Sequence, residues 1–434
     1  MFDLHCAIKI LFYGRRRLIS LVSREFRGCG LNLSDLSFVH LADVHLGYEQ
    51  YNLSERREDF DRAFTEVVDK TLELKPNFMI IAGDLFHHAR PLNITLERAI
   101  KNFRRLREAN IPVLVVDGSH DTAPNIVTGT ILNPLDSAGL IYYLPRHEGA
   151  CWENEQCYVY GIPNFRTRDR TERQLPAFYE VRRPEPRKDK FNIFVFHMAL
   201  DIPEILSAYP SMAAEASPAL IPNGFNYYAG GHIHTSLQVR FRDGILVYSG
   251  STETVNYEDA YSEKGFHYVE VSRDGEVRVN RIKVESTRKF KVIDRDYSGL
   301  SPKDIVDLAA RLVKEADEEG AVIVPILRGT LPAESSRREV DLAKIRSAAE
   351  KALAVHPVVL LREIEFPEEV IRSIFEGEMR DLRAKSHEYF LQFFMQRYGR
   401  DEAERRARAA LEIIQFLVRE DEDRVREIIE GLIQ

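Results

Sequence analysis

Two aspartates and a series of histidines recur in short motifs between residues 43 and 234: Asp43-Val44-His45, Gly83-Asp84-Leu85-Phe86-His87, Gly118-Ser119-His120-Asp121, His197 and Gly231-His232-Ile233-His234. Carboxylates and imidazoles are hard or borderline oxygen and nitrogen donors, a set that suits divalent cations. Two such cations sharing a carboxylate sit roughly 3.5–4 Å apart and can clamp the attacking and leaving oxygens of a displacement at phosphorus. A bound cation also brings the pKa of water from ~15.7 toward ~7. An imidazole with an unperturbed pKa near ~6.5 can protonate the departing oxygen. The chemistry indicated is hydrolysis of a phosphate ester. Any one of these histidines alone reads as a satisfied core residue; the ordered set carries the metal reading. Asp121 reads differently, as a hydrogen-bond acceptor that fixes its loop.

Such ligands need rigid elements behind them. Phe38–Ala42, Phe78–Ala82, Val113–Val116 and Ile193–Phe196 are short apolar runs, each directly before a motif. Their length and β-branched or aromatic content predict buried strands. An open α/β sheet places its chemistry at the ends of such strands. Arg56–Leu74 carries Phe60, Phe64, Val67, Val68 and Leu72 at helical spacing and stops at Pro76, and Leu92–Ala109 reads as a second helix. Strand and helix alternate, the α/β signature. After residue 234 the pattern changes to short strands with turns at Asp243-Gly244 and at Arg273–Glu276.

The order of motifs resembles the calcineurin-like metallophosphoesterase superfamily. Leu46-Gly47-Tyr48 after the first motif, and Leu85-Phe86-His87 followed by Arg90-Pro91, resemble its double-strand-break repair nucleases, the meiotic-recombination-eleven or SbcD type. The resemblance implies a four-layer α/β/β/α sandwich over residues 37–285, with the strands after residue 234 in the second sheet. It implies a small α/β capping domain for DNA over 286–366. It also implies a helical segment over 367–434 that binds an SMC-like ABC ATPase of the SbcC or Rad-fifty type. Two manganese ions are expected, one on Asp43, His45 and His234, the other on His197, His232 and the residue at 119, with Asp84 bridging. His120 is expected beside the leaving group and His87 near the scissile phosphate. The family dimerises through segments matching Leu92–Ala109 and the stretch after Pro124. At one ligand position the chain departs from the pattern: Ser119 stands where the family carries Asn. A serine hydroxyl is shorter and a weaker donor, so it binds through a water, binds after a loop shift, or leaves the second site weakened.

Composition sets the outer bounds. With 434 residues, two or three domains are expected. No apolar run approaches the ~20 residues that cross a bilayer. The four cysteines, Cys6, Cys29, Cys151 and Cys157, match no close zinc spacing, and so few in so long a chain suggests a reducing interior; the resemblance implies an intracellular, cytoplasmic and nucleoid-associated protein. A net charge of −8 argues against a uniformly basic molecule, though DNA binding needs only a local basic face. Candidates for it are Arg90 and the arginines of 166–173, namely Arg166, Arg168 and Arg170; a solvated loop of mixed charge is the competing reading. Residues 1–36 read as a loosely packed or disordered extension. Their apolar stretch carries Lys9 and precedes Arg15-Arg16-Arg17, the reverse of a secretory signal.

Beyond a boundary near 285–288, Ser301-Pro302-Lys303-Asp304 signals a helix start, with Ile305, Leu308, Leu312 and Val313 on one face. Ala321–Leu327 and Val358–Ile364 read as strands. The tail reads as helix, broken at Gly399-Arg400-Asp401. Phe390, Phe393 and Phe394 form one apolar stripe, and Ile413, Ile414 and Leu417 belong to another. Such faces either lie in a partner's groove or fold back on the chain. The resemblance thus implies a manganese-dependent DNA exo- and endonuclease acting on ends, hairpins and single strands. The alternatives are a non-catalytic scaffold for DNA and ATPase, or a generic metallophosphodiesterase.

Overall fold

The computed structural model describes residues 36–122, 129–208, 213–332, 335–363, 379–395 and 398–418, with 424, 427, 428 and 432. The N-terminal extension, apart from its last residue, and the stretch just after Pro124 lie outside the described residues. The chain divides into two compact units. One comprises Met1–Asp296, Asp304–Leu327 and Asp341–Leu360; the other comprises Tyr297–Lys303, Arg328–Val340 and Leu361–Gln434.

Within the first unit, two six-stranded sheets stand face to face. The first runs β12-β11-β1-β2-β3-β4, where β1 is Leu36–Leu41, β2 Phe78–Ala82, β3 Val113–Val116, β4 Tyr142–Tyr143, β11 Gly265–Val271 and β12 Val277–Lys283. The second runs β5-β6-β7-β8-β10-β9, with β5 Cys151–Glu153, β6 Cys157–Gly161, β7 Phe191–His197, β8 Tyr227–Gly231, β9 Leu237–Phe241 and β10 Gly244–Tyr248. Alternation along each strand builds the layers. Phe38, Phe78, Ile80 and Leu114 of the first sheet meet Val159, Ile193, Val195 and Tyr227 of the second in one buried core. Their neighbours Val39, Met79, Ile81 and Val115 turn the other way, onto Phe64, Val67 and Val68 of helix α1 (Ser54–Leu74) and Ala99, Phe103 and Leu106 of α2 (Asn93–Glu108). On the far face of the second sheet, Phe194, Phe196 and Tyr228 pack with Leu175 of α4 (Arg168–Val181), which follows the short α3 (Leu132–Ser137). These are the four layers of an α/β/β/α sandwich.

One expected placement is corrected. The strands flanking the Arg273–Glu276 turn, β11 and β12, join the first sheet and not the second; β11 runs antiparallel to β1, with His40 opposite His267. The central parallel strands leave the β1 edge open, and β11 covers it with its buried Phe266, Val269 and Val271. Only β9 and β10 extend the second sheet, on either side of the expected turn at Asp243.

Beyond the sandwich, β13 (Phe290–Asp296), β14 (Val322–Thr330), β15 (Ala354–Val355) and β16 (Val358–Arg362) form a four-stranded sheet. The expected helix start at Ser301-Pro302 opens α6 (Pro302–Glu315), which buries Ile305, Ala309 and Val313. The tail holds α8 (Met379–Met395) and α9 (Arg400–Val418), broken as expected around Gly399. Ala403 and Ala407 are buried on α9, and Arg406 lies over the Tyr398 ring at 4.2 Å. Among the described residues, no helix is long and apolar enough to cross a membrane.

A buried ionic cluster ties α1 to the chain on either side of residue 253. The Arg56 guanidinium is fully buried and donates to Asp59 (2.5 Å), Gln50 (2.9 Å), Glu253 (3.2 Å) and the Thr254 carbonyl (2.9 Å). Arg288 also pairs with Asp59, and its backbone N–H donates to Glu253 at 3.0 Å. Arg56→Met would leave Asp59 and Glu253 short of a cation in the interior. A loss of about 3–5 kcal/mol is expected for breaking a buried pair, read as a lower urea midpoint for the first unit.

Glu66 on α1 supplies a pH handle. Burial pushes its carboxyl up, but Lys70, Ser286 and the backbone N–H groups of Glu285 and Ser286 prevail and hold it at about 2, against the usual 4.5. A depressed carboxylate contributes stability that is fully present above its unfolded pKa and is lost as pH falls through the folded one. Glu66→Gln should therefore lower the Tm at neutral pH, and the gap should close as the pH drops from 4.5 toward 2. A gap independent of pH would refute this linkage.

Candidate metal centre

The register of the two sheets brings the motifs level with each other. Leu41 pairs with Ile81 and Ala82 with Val116 in the first sheet, while His197 pairs with Gly231 in the second. Every motif therefore leaves its strand at the same edge. There the backbone turns sharply. Asp43, His45, Asp84 and His232 have φ of 53°, 49°, 50° and 91°. Left-handed non-glycine residues are uncommon and cluster at functional sites. Backbone bonds hold these turns: Asp43 N–H to Gly83 O (3.1 Å), His45 N–H to Asp84 O (3.0 Å) and Leu46 N–H to Leu85 O (2.9 Å). Gly118 is required by crowding, because a Cβ there would run into the Asp84 carboxylate and backbone. Gly83, at φ 86°, lies equally tight against the His197 ring.

The side chains converge into two ligand triads, Asp43/His45/His234 and Asp43/Asp84/His197. Nε2 of His197 lies 3.2 Å from Asp84 Oδ2 and 3.9 Å from Asp43 Oδ1. The same Asp84 oxygen is 3.9 Å from His45 Nε2, so Asp84 stands between the two imidazoles, as a bridging ligand must. His234 Nε2 is 3.4 Å from His45 Nε2 and 3.9 Å from Asp43 Oδ1. A third group, His45/His87/His120, flanks them.

These residues fit a divalent cation. Asp43 and Asp84 are both buried, and a buried charge needs a partner. His197 Nε2 is buried and close to Asp84, yet among the described residues it has no hydrogen-bond partner. The titration behaviour of the bare side chains shows the same shortage of positive charge. Burial pushes the Asp43 carboxyl up despite His197 and His234. Burial also opposes the charge on Asp84 and His197, but their mutual attraction wins. It holds Asp84 well below the carboxylate range and lifts His197 to about 10. Burial drives His45 well down and His232 to about 3.

A second layer fixes the ring orientations, and the sequence reading had not identified it. His197 Nδ1 donates to the Ala82 carbonyl (2.8 Å) and His120 Nδ1 to the His87 carbonyl (2.8 Å). His234 Nδ1 pairs with Asp259 (3.0 Å), which Lys264 supports at 3.1 Å. These bonds leave the Nε2 atoms to face the centre. Asp259 has no distinctive sequence context; it is the last member of a capping box begun by Asn256, a purely structural signature. Asp121 fills its expected role, accepting from the backbone N–H groups of Leu85 (3.0 Å), Phe86 (2.8 Å) and Gly118 (3.1 Å). Ser119 Oγ lies 3.3 Å from Asp84 Oδ2. His87 is stacked between Tyr48 at 3.7 Å and His120 at 4.7 Å.

The other candidates are more scattered. Arg90 and Arg170 are exposed, Arg168 is shared between Glu172 and Asp201, and Arg166 turns inward to the Thr122 carbonyl. Phe390, Phe394 and Ile413 are half-buried and Phe393 is 49% exposed. The side chains of Ile414 and Leu417 lie outside the described residues.

Comparison with known proteins agrees with this geometry. Residues 36–236 match the calcineurin-like phosphoesterase family. The DNA double-strand break repair protein Mre11 of Archaeoglobus fulgidus is 28% identical over 82% of this chain and 79% of its own length. Its Methanocaldococcus jannaschii counterpart is 32% identical over 62% of this chain and 70% of its own. The Saccharolobus solfataricus protein is 29% identical over 70% of this chain and 77% of its own. With its metal-ligand set at the shared edge of two sheets and relatives of this similarity, the chain belongs to the Mre11 family of DNA double-strand break repair proteins.

Proposed function

We propose that this chain is a DNA nuclease of double-strand-break repair that cleaves phosphodiesters with two manganese ions. The carrying observation is the pair of triads that share Asp43 and pass through Asp84. Asp43, His45 and His234 with Asp84 would hold one ion; Asp84, His197 and His232 with Ser119 would hold the other. Bound there, the ions supply a nucleophile at neutral pH and neutralise phosphate charge.

The remaining steps belong to the chain's own residues. His120 has its Nδ1 committed to the His87 carbonyl, so its Nε2 is the atom that can give a proton to the departing sugar oxygen. His87, whose ring is held between those of Tyr48 and His120, would act near the scissile phosphate. Exposed Arg90 and Arg170 contact the DNA backbone, with Arg166 and Arg168 nearer the site. Residues 286–366 act as a cap that selects DNA ends and hairpins. Residues 367–434 bind the SMC-like ABC ATPase through Phe390, Phe393 and Phe394 and the Ile413, Ile414, Leu417 stripe. Half-exposed Phe393 supports that reading. Exposed Leu92 and Ile94 at the start of α2 support a homodimer. The complex works inside the cell, on the nucleoid.

A second reading is favoured by Ser119. Its hydroxyl lies within hydrogen-bonding distance of Asp84 Oδ2, which fits a weakened second site on a DNA and ATPase scaffold. Manganese-dependent cleavage of linear duplex and hairpin DNA separates the two. Under the nuclease reading, Asp84→Ala should lower the rate by more than ~100-fold, since even outer-layer losses at metal sites cost 10–100-fold. No cleavage by the natural chain at saturating manganese, with ATPase and ATP present, would establish the scaffold instead. Ser119→Asn should lower the manganese concentration needed for half-maximal cleavage. An unchanged requirement would mean that Ser119 imposes no loss at the second site.

A further inference from the structure

Of the four inner imidazoles contributed by His45, His197, His232 and His234, His232 is the least secured by its ring. Its backbone is strained at φ 91°, and its side chain is 23% exposed. Its backbone N–H donates to both Asp43 oxygens at 3.1 Å, which fixes the main chain but not the ring. Among the described residues, no hydrogen bond holds that ring. The polar atom that faces it is Oε2 of Glu215, 3.6 Å from Nε2.

Glu215 is built into this position. Its backbone N–H donates to the Ala199 carbonyl at 2.9 Å, and Asp201 N–H returns a bond to Ala216 at 2.9 Å. Leu200 and Ala216 complete a parallel bridge. The Glu215 carboxylate also accepts from Ala199 N–H at 3.3 Å. The residue is thereby pinned to the chain two residues beyond His197. Only 18% of its side chain is exposed. Burial pushes its carboxyl up, and His197 and Asp84 both act on it.

We propose that Glu215 is a positioning residue of the second cation site: it accepts the Nε2 proton of His232 and so leaves Nδ1 as that ring's ligand atom. Asp259 does the same for His234 with the nitrogens exchanged, by way of Nδ1. A carboxylate behind an imidazole fixes the tautomer and raises ligand basicity. Both effects matter more where the neighbouring ligand is a serine. The separation of 3.6 Å is longer than a hydrogen bond and closes when the ring is drawn onto a cation.

This inference rests on the two-cation reading, and it is tested by binding, not cleavage. The full chain is titrated with Mn²⁺ alone by calorimetry, with free Mn²⁺ followed by electron paramagnetic resonance. Glu215→Ala should weaken one of two binding events by about 10–100-fold and spare the other. Glu215→Gln keeps an acceptor oxygen and should recover most of that loss. Asp259→Ala should weaken the opposite event. Glu215→Met, which keeps length and removes the acceptor, carries the test if alanine unfolds the loop; thermal unfolding of the metal-free chains shows whether it does. Two unchanged events, or two events weakened equally, would overturn the proposal. A natural chain that takes a single Mn²⁺ would overturn the two-cation reading. The role of Glu215 would then stand if its loss still weakened that event, and fall if it did not.

Discussion

The controlling constraint is the burial of two carboxylates at one point. Asp43 and Asp84 both lie out of water, each within 3.9 Å of the same His197 nitrogen. Two anions in a medium of low dielectric repel strongly and lose their hydration. The chain accepts this only by surrounding them with imidazoles and backbone N–H groups. His120 N–H reaches Asp84 at 2.8 Å, and His232 N–H reaches Asp43. The left-handed turn at residue 232 carries one of those N–H groups, and those at 43 and 84 carry the carboxylates themselves. The strain in the turns and the electrostatic cost of the carboxylates are therefore a single arrangement, whose natural complement is a cation.

That arrangement needs a rigid base, and the sandwich provides it. His197 is the last residue of β7, and the other ligands sit one to four residues beyond largely buried strands. Interior packing at crystal-like density has low compressibility and transmits strain, so the strand ends cannot drift apart independently. Asp121 works on the same scale. By accepting three backbone N–H groups from two different motifs, it locks the Asp84 turn to the Ser119–His120 loop. Burial and the nearby Asp84 charge push its carboxyl up to about 7, which shows how much negative charge already crowds the site.

Much of this was legible in the sequence, for a physical reason. Short, continuous apolar runs of strand-forming residues lead into Asp and His with a sharp break, and both halves of that signal are local. The helices over α1 and α2, the break before Arg400 and the loop-fixing role of Asp121 were legible on the same basis. What escaped were contacts made across long stretches of chain. β11 pairs with β1 more than 200 residues away, so its sheet could not be read from its own pattern. Asp259 and Glu215 reach their histidines from loops that carry no motif, and their roles exist only once the sheets are assembled. Arg166 shows a related limit: composition reports a basic run, but only the folded backbone, left-handed there at φ 69°, reveals that its guanidinium donates to the Thr122 carbonyl.

The buried Arg56 cluster extends the same logic outward. Glu253 follows β10 by five residues, in a run from Ser249 to Thr254 whose polar side chains at 249, 251, 252, 253 and 254 are all buried. That run reaches the metal centre through Ser251, whose N–H donates to the His234 carbonyl at 3.0 Å. At its other end Glu253 is held by Arg56 and by the Arg288 backbone, and Arg288 in turn donates to the Gly320 carbonyl at 2.6 Å. A ligand histidine is thus linked through one polar segment to the strands that follow the sandwich. Buried charge pairs add little net stability over well-packed apolar residues. What they supply here is directional: the Arg56 guanidinium donates to four acceptors from three stretches of chain, which fixes the segment's register. Tyr51, stacked on His356 at 4.1 Å, adds a second tie between the same two regions.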